Sequence, residues 1–313
     1  MADLAVREAT ASQAGAVCAV IHEAFAARPP LDPPSTASAE TVESVEASLA
    51  GPGGLLCHLD GSPAGALLFA DDGPALRLRR VSSVPRLQGR GIASAMVELA
   101  EQVAARRGYD EVRLEARAEL PATVAFWHRR GYVEATRAST SVTLAKALGV
   151  SVPTATADET RELGERLGRA VRPGDVVILT GDLGAGKTTL TQGIGAGLGV
   201  RGDVTSPTFV ISRIHPSLVG GPALVHVDAY RLGDGAELDD LDLDAYVDSS
   251  VTVVEWGSGL ADALATDPLR VSLSRARGDD SGDGRVVTVT PVGGRWVGAG
   301  LRSALLGVPA RQP

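Results

Sequence analysis

Eight consecutive residues carry the strongest chemical signal in the chain. Gly181, Asp182, Leu183, Gly184, Ala185, Gly186, Lys187 and Thr188 satisfy the spacing G-x-x-x-x-G-K-[ST] in full. The glycines let the backbone wrap around phosphate oxygens with successive N–H groups facing inward, and the start of the following helix adds partial positive charge. On this pattern Lys187 reaches the β- and γ-phosphates of a nucleotide, the Thr188 hydroxyl ligates Mg²⁺, and Thr189 follows at the helix start. Cleaving a phosphoanhydride also needs a second metal-side carboxylate and a group that orients water. Asp228 closes the apolar run Leu224–Val227 and Glu255 closes Val251–Val254. Both therefore belong at the carboxyl edge of a sheet, beside the loop. The lysine is itself informative: the 30 basic residues are 28 Arg and two Lys, Lys146 and Lys187, and there is no Asn.

A sheet fed by alternating strands and helices must bring these groups together, and the pattern predicts one. Helix Asp158–Val171 precedes the apolar strand Asp175–Thr180, and helix Thr188–Leu198 leads out of the loop. Strands are predicted at Thr208–His215, Ala223–Asp228 and Val251–Glu255, followed by a β-rich stretch. Residues 300–313, rich in small side chains, are expected to form a disordered tail. The first half reads as its own α/β unit. Its strands are Ala5–Glu8, Leu55–Leu59, Gly65–Ala70, Leu76–Val84, Glu111–Ala116 and Ala138–Leu144, and its helices are Ser12–Phe25, Glu40–Ala50, Ile92–Arg107 and Thr123–Arg130. The pattern lapses around Leu148–Thr154, with Gly149 and Pro153, which sets a boundary between domains 1–149 and 150–299.

Charge narrows the partners. The net charge of −8 divides into −2 for residues 1–150 and −6 for 151–313, so neither half has the positive excess that grips a phosphate backbone alone. Autonomous nucleic-acid binding is not expected on that ground, and a partner could supply it. The missing Asn removes N-glycosylation sequons and any Asn-Lys-x-Asp guanine-reading motif. Two cysteines, Cys18 and Cys57, fit a reducing cytosol, and no apolar run approaches the ~18 residues that span a bilayer. A cytoplasmic chain without membrane contact is the expectation. The run Asp234–Asp248 holds seven acids, which suit either docking on a basic partner or a solvated helix face.

Beyond the phosphate loop, Thr205-Ser206-Pro207-Thr208-Phe209, His226-Val227-Asp228-Ala229-Tyr230-Arg231 and Glu255-Trp256 follow in order. Together with the loop they resemble the TsaE (YjeE) family of ATPases in bacterial tRNA threonylcarbamoyladenosine synthesis, over about residues 153–296. The resemblance implies a P-loop NTPase-like α/β domain that binds ATP and Mg²⁺. It implies that Thr205, Ser206 and Thr208 sense the γ-phosphate, that Asp228 is catalytic, and that Glu255 assists Mg²⁺. It further implies that Thr156 and Ala157 meet the adenine ring. TsaD and TsaB-type proteins are the implied partners, with tRNA reached indirectly through them. Gly257 and Ser258 depart from the family's usual Pro or acid after Glu-Trp.

In the first half, Arg86-Leu87-Gln88-Gly89-Arg90-Gly91 lies between strand Leu76–Val84 and helix Ile92–Arg107, and Phe126–Tyr132 follows some 35 residues on. These elements resemble the GNAT acetyltransferases over roughly residues 3–147. The resemblance implies a GNAT-like mixed α/β sheet domain that holds the diphosphate of acetyl-CoA at Val84, Gln88, Gly89, Arg90, Gly91, Ile92 and Ala93. Leu120 stands where the family has Asn, and Trp127 where a Tyr often serves as general acid; an indole cannot donate a proton in that role. Glu115, at the end of its strand, is the candidate general base. The reading is thus an acetyltransferase of unknown acceptor fused to a TsaE-like ATPase. The alternatives are a P-loop small-molecule kinase, or a non-hydrolysing ATP sensor with a degenerate acyl-CoA-binding domain.

Overall fold

A computed structural model of the chain describes residues 3–207, 210–231, 248–257, 259, 261, 264–275 and 284–312. The chain divides into two compact units, Met1–Lys146 with Arg311–Pro313, and Ala147–Ala310. Each is built on one mixed sheet of seven strands. Among the described residues no helix is long and apolar enough to cross a membrane.

The first unit's strands are β1 (Leu4–Glu8), β2 (Gly54–Leu59), β3 (Ser62–Asp72), β4 (Ala75–Ser83), β5 (Glu111–Arg117), β6 (Val133–Arg137) and β7 (Ser141–Ala147). They lie in the order β1-β2-β3-β4-β5-β7-β6. The helices are α1 (Ala14–Ala26), α2 (Val42–Ala50), α3 (Ile92–Arg106) and α4 (Pro121–His128). The parallel pair β4–β5 decides the unit's use. Their pairing runs from Ala75 opposite Glu111 to Leu78 opposite Leu114 and stops there. Both strands continue beyond that pairing, so they part. Just past the parting, Arg80 takes the left-handed φ of 53°. Its guanidinium fixes that kink: Nε donates to Glu40 Oε1 at 2.8 Å and Nη2 to Thr36 Oγ1 at 2.9 Å.

In the second unit β8 (Val150–Thr154), β9 (Val176–Thr180), β10 (Ser212–His215), β11 (Ala223–Asp228), β12 (Ser250–Glu255), β13 (Leu269–Arg275) and β14 (Arg285–Pro291) form the order β10-β11-β12-β9-β13-β14-β8. The run β11-β12-β9-β13 is parallel, so its carboxyl ends share one edge. β12 is buried along its whole length and β9 up to Ile178 and Leu179, as strands covered on both faces should be. Helices α5 (Ala157–Ala170) and α6 (Lys187–Leu198) meet along glycines. A Cβ on Gly193 would lie 2.1 Å from Arg161 O, and one on Gly197 2.3 Å from Glu165 O. Gly164 and Gly168 make the reciprocal approach to Leu190 O and Ile194 O at 2.3 and 2.4 Å. This seam sets the axis of α6 and, through it, the phosphate loop at its N-terminus. A buried ion pair anchors the start of β9, where Arg295 Nε and Nη2 donate to the two oxygens of Asp175 at 2.8 and 2.7 Å.

Two sequence expectations need correction. The segment around Leu148–Thr154 is not a lapse in structure, because β8 pairs antiparallel with β14 from Val150 opposite Val289 to Thr154 opposite Arg285. Nor is 300–313 a disordered tail. Leu301–Leu306 forms helix α7, and Leu301 and Leu305 are buried in the core with Leu163 and Trp296. One helical turn separates the two leucines, so both reach the same face. Arg311 is fixed as well, donating to Arg107 O at 2.9 Å and Asp71 Oδ2 at 3.1 Å within the first unit. The predicted strand Thr208–His215 begins only at Ser212, with Thr208 and Phe209 outside the described residues, and most of Asp234–Asp248 lies outside them too.

Candidate functional site

The phosphate loop turns out of β9 and into α6, as its sequence requires. Gly181 has φ 143°, and a Cβ there would stand 2.3 Å from Leu273 O, so no side chain fits. Asp182 and Gly184 are exposed and Ala185 is buried. Gly186 caps α6 without a side-chain acceptor, which leaves the first-turn N–H groups free for an anion. Thr189 follows, half-buried, in that turn. Lys187 is 5% exposed; its Nζ donates to Gly181 O at 2.8 Å and Asp182 O at 3.0 Å and stands 3.7 Å over the Trp256 ring. Burial pulls the Lys187 ammonium below the ordinary lysine range, and the carboxylates of Glu255, Asp228 and Asp182 oppose that pull.

Strand register brings the two acids together. Asp228 ends β11 directly opposite Glu255, which ends β12 opposite Leu179 of β9. The Thr188 hydroxyl donates to Glu255 at 3.0 Å (Oε1) and 3.3 Å (Oε2). Behind them, the fully buried His226 donates Nε2–H to Glu255 Oε1 at 3.0 Å. Asp228 is tied to the other side: Ser206 Oγ donates to its Oδ2 at 3.1 Å and Tyr230 N–H to its Oδ1 at 3.1 Å. Thr205 Oγ1 accepts from Arg213 Nη1 at 2.8 Å. A hydroxyl and a carboxylate in contact beside a phosphate cradle suit Mg²⁺, which takes one or two protein oxygens plus phosphates and waters. Among the described residues no cluster of three His, Cys, Asp or Glu forms an all-protein metal site.

Thr156 caps α5, accepting from Glu159 N–H at 3.1 Å, and Thr156 and Ala157 are exposed. They come two and three residues after Thr154, the register partner of Arg285. Arg285 is a residue the motifs did not flag. Its Nε donates to Ala185 O at 3.0 Å and its Nη2 to Gly184 O at 3.4 Å, so it holds the phosphate loop by outward-facing carbonyls. Its sequence distance from the loop offers no local signal. His226 was visible within H-x-D, but its bond to Glu255 needs the parallel register of β11 and β12.

In the first unit the parting of β4 and β5 opens a cavity of about 1080 Å³. Gln88, Gly89, Gly91, Ile92 and Ala93 line it, and so does the exposed Glu115. Two predicted contacts do not: Val84 is buried in the core with its N–H on Ala64 O at 2.9 Å, and Arg90 is exposed but off the cavity wall. Gly91, at φ 79°, caps α3 with no side-chain acceptor, leaving a second open helix N-terminus. Arg130 braces it, donating to Ser94 Oγ and to Phe126 O at 3.1 Å. Trp127 is buried and lines the cavity as an apolar wall.

Comparison with known proteins finds a family match in each unit. Residues 154–283 match the family described as "Threonylcarbamoyl adenosine biosynthesis protein TsaE", and residues 20–132 match "Acetyltransferase (GNAT) family". The tRNA threonylcarbamoyladenosine biosynthesis protein TsaE of Streptomyces coelicolor is 61% identical over 140 residues, covering 44% of this chain and 95% of that protein. Its Bacillus subtilis namesake is 41% identical over 44% of this chain and 84% of its own length. The crystal structure of Bacillus subtilis YdiB aligns at 33% identity with a TM-score of 0.41, covering 51% of this chain and 95% of that one. Through its second unit the chain belongs to the TsaE family, behind a first unit that matches the GNAT acetyltransferases.

Proposed function

We propose that the second unit is a Mg²⁺-dependent ATPase, and that it supports threonylcarbamoylation of adenosine 37 in tRNA with TsaD and TsaB-type partners in the cytoplasm. Its kinship with TsaE proteins supports the pathway. The contact between Ser206 and Asp228 at 3.1 Å carries the ATPase reading, because it joins the loop that senses the γ-phosphate to the acid that acts on water. Bound Mg²⁺ neutralises phosphate charge and polarises the bond that breaks. The chain's own residues do the rest. Gly181–Gly186 present N–H groups to the phosphates, and Lys187 transfers its donors from Gly181 O and Asp182 O to the nucleotide. Thr188 and Glu255 hold the metal, with His226 fixing the carboxylate's orientation. Asp228 orients and deprotonates the attacking water, while Ser206, Thr205 and Thr208 report whether the γ-phosphate is present.

The first unit is proposed as an acetyl-CoA-dependent N-acetyltransferase. The open N-terminus of α3 takes the diphosphate, and Glu115 accepts the proton the amine loses. The Asp228→Ala substitution in the full chain, assayed with TsaB and TsaD, tests the main reading. ATP turnover and modified-tRNA output should fall about 10²- to 10⁴-fold, the usual worth of a positioned base. Unchanged output would remove Asp228 from its role and favour a non-hydrolysing sensor. For the first unit, calorimetric titration with acetyl-CoA is the test, and no heat at millimolar ligand defeats the assignment.

A further inference from the structure

The wall of the first unit's cavity is rich in arginine, and most of these guanidiniums are matched. Arg77 pairs with Asp72 at 2.9 Å, Arg79 and Arg80 share Glu40 at 3.3 and 2.8 Å, and Arg117 pairs with Glu119 at 2.9 Å. Arg129 and Arg130 follow α4; Arg129 is exposed, and Arg130 reaches Ser94 in the first turn of α3. One guanidinium is different. Arg28 is half-buried, lies 3.7 Å over the Phe25 ring, and makes one bond, from Nη2 to Val81 O at 3.4 Å. Among the described residues it has no carboxylate partner, and the charge of Arg80 acts on it. Burial and the Arg80 charge together pull it below the ordinary arginine range.

The position matters as much as the charge. Val81 follows the kinked Arg80, beyond the last β4–β5 pair, where the two strands have parted. The segment after α1 crosses over this opening: Arg117, at the end of β5, donates Nη1 to Pro33 O and Nη2 to Asp32 O, each at 2.7 Å. Leu31, Pro33 and Pro34 line the same cavity as Glu115. A desolvated cation facing a like charge is costly unless an anion joins it, and a guanidinium offers a carboxylate two parallel donors.

We propose that Arg28 binds a carboxylate of the acceptor, so that the acceptor is a small amine of amino-acid type. This rests on reading the unit as an acetyl-CoA-dependent acetyltransferase. The amine nitrogen attacks the thioester carbonyl carbon, the C–N bond forms as the C–S bond breaks, and the amine proton passes by way of Glu115 to the departing sulfur. Arg28 takes no part in those bonds; it holds the acceptor's carboxylate so that its amine faces the parting of β4 and β5.

The experiment uses the full chain. Acetyl-CoA binding is measured first by calorimetry, for the wild type and for Arg28→Gln, and comparable affinities are expected. CoA thiol release is then followed with acetyl-CoA and each of the twenty common L-amino acids, and with the C-terminal amide of the best one. The proposal expects at least one amino acid to turn over, its amide to fall tenfold or more in kcat/KM, and Arg28→Gln to lower the free acid to the amide's level. The wild-type comparison of acid with amide stands even if the variant does not fold. Equal rates for acid and amide, or no turnover of any amino acid while acetyl-CoA binds, overturns the proposal. An Arg28-dependent preference for succinyl-CoA over acetyl-CoA also overturns it, by assigning the carboxylate to the acyl group. Failure to bind acetyl-CoA at all defeats the acetyltransferase reading itself, and the proposal with it.

Discussion

Replacing Gly193 by Ala should loosen the second unit measurably, although alanine is the better helix former. A Cβ on Gly193 would sit 2.1 Å from Arg161 O and 2.9 Å from Gly164 Cα, where real Cβ contacts are essentially never under 3.0 Å. Neither neighbour is a flexible side-chain end, so α5 and α6 must separate by nearly an ångström. Overpacking costs about 1–3 kcal/mol, and a gap of that size forfeits a quarter to a half of each dispersion contact along the seam. Against this, Ala for Gly in a helix interior returns about 1 kcal/mol. Contacts with rigid backbone place the cost at the upper end, for a net loss of about 2 kcal/mol. That corresponds to a fall of roughly 4–8 °C in melting temperature for a domain of this size. Gly195 on the same helix provides the comparison. Its Cβ would meet side chains, Val204 Cγ2 at 2.7 Å and Val200 Cγ2 at 3.1 Å, which can shift, so its Ala variant should lose less. Scanning calorimetry with and without ATP reads both variants, the second unit being the transition that ATP raises. A Gly193→Ala melt equal to or above wild type would refute the argument that backbone proximity fixes this seam.

Glu255→Gln keeps the shape that accepts from Thr188 but removes the charge, so the Mg²⁺ concentration for half-maximal ATP turnover should rise at least tenfold; an unchanged Mg²⁺ titration counts against Glu255 at the metal. Arg295→Ala leaves the buried Asp175 without its counter-charge and with only the Arg172 N–H at 2.9 Å, and should cost about 3–5 kcal/mol, read from a urea melt, with a loss under about 1 kcal/mol excluding that account of the pair. Burial pushes the Cys57 thiol up to about 11 and raises Cys18 as well. The native chain at pH 8 should therefore react with a thiol reagent only on unfolding. Because the unfolded thiol ionises first, stability falls as pH rises from about 9 towards 11; rapid titration of two native thiols would contradict the burial.

What the sequence disclosed depended on how local each signal is. The phosphate loop and the acids ending β11 and β12 are contiguous or lie at strand ends, so their types and spacing were enough. Strand β8 was hidden because Gly149 and Pro153 read as breakers, yet β8 is an edge strand, where a proline costs no ladder bond that the sheet needs. Strand β6 is exposed over most of its length, and its alternation rests on Val133 and Ala135 alone, too short a signal to mark a strand. Helix α7 was legible in principle, since Leu301 and Leu305 lie one turn apart between Gly300 and Gly307, but the surrounding small residues masked it. Arg285 and Arg28 were beyond reach. One acts across a strand pairing about a hundred residues from the loop, and the other lies in a Pro-rich stretch that reads only as a break.

The two site carboxylates explain why nucleotide and metal should arrive together. Asp228 and Glu255 are register partners on adjacent parallel strands, both nearly inaccessible to solvent, and two such charges repel. Each has hydrogen-bond donors of its own: Ser206 and Tyr230 for Asp228, Thr188 and His226 for Glu255. Those donors satisfy lone pairs, and Lys187 adds a positive charge beside the pair, its ammonium kept protonated with the help of both carboxylates. Its bonds to Gly181 O and Asp182 O are to neutral carbonyls, weaker partners than phosphate oxygens. On the proposed reading a nucleotide therefore draws Lys187 away readily, and in doing so leaves the carboxylates with less compensating charge while adding several negative charges of its own. A divalent ion at Thr188 and Glu255 restores the balance that the lysine gave up. Glu255→Gln lowers the negative charge at that point, and so weakens the site's need for the ion as well as its hold on it.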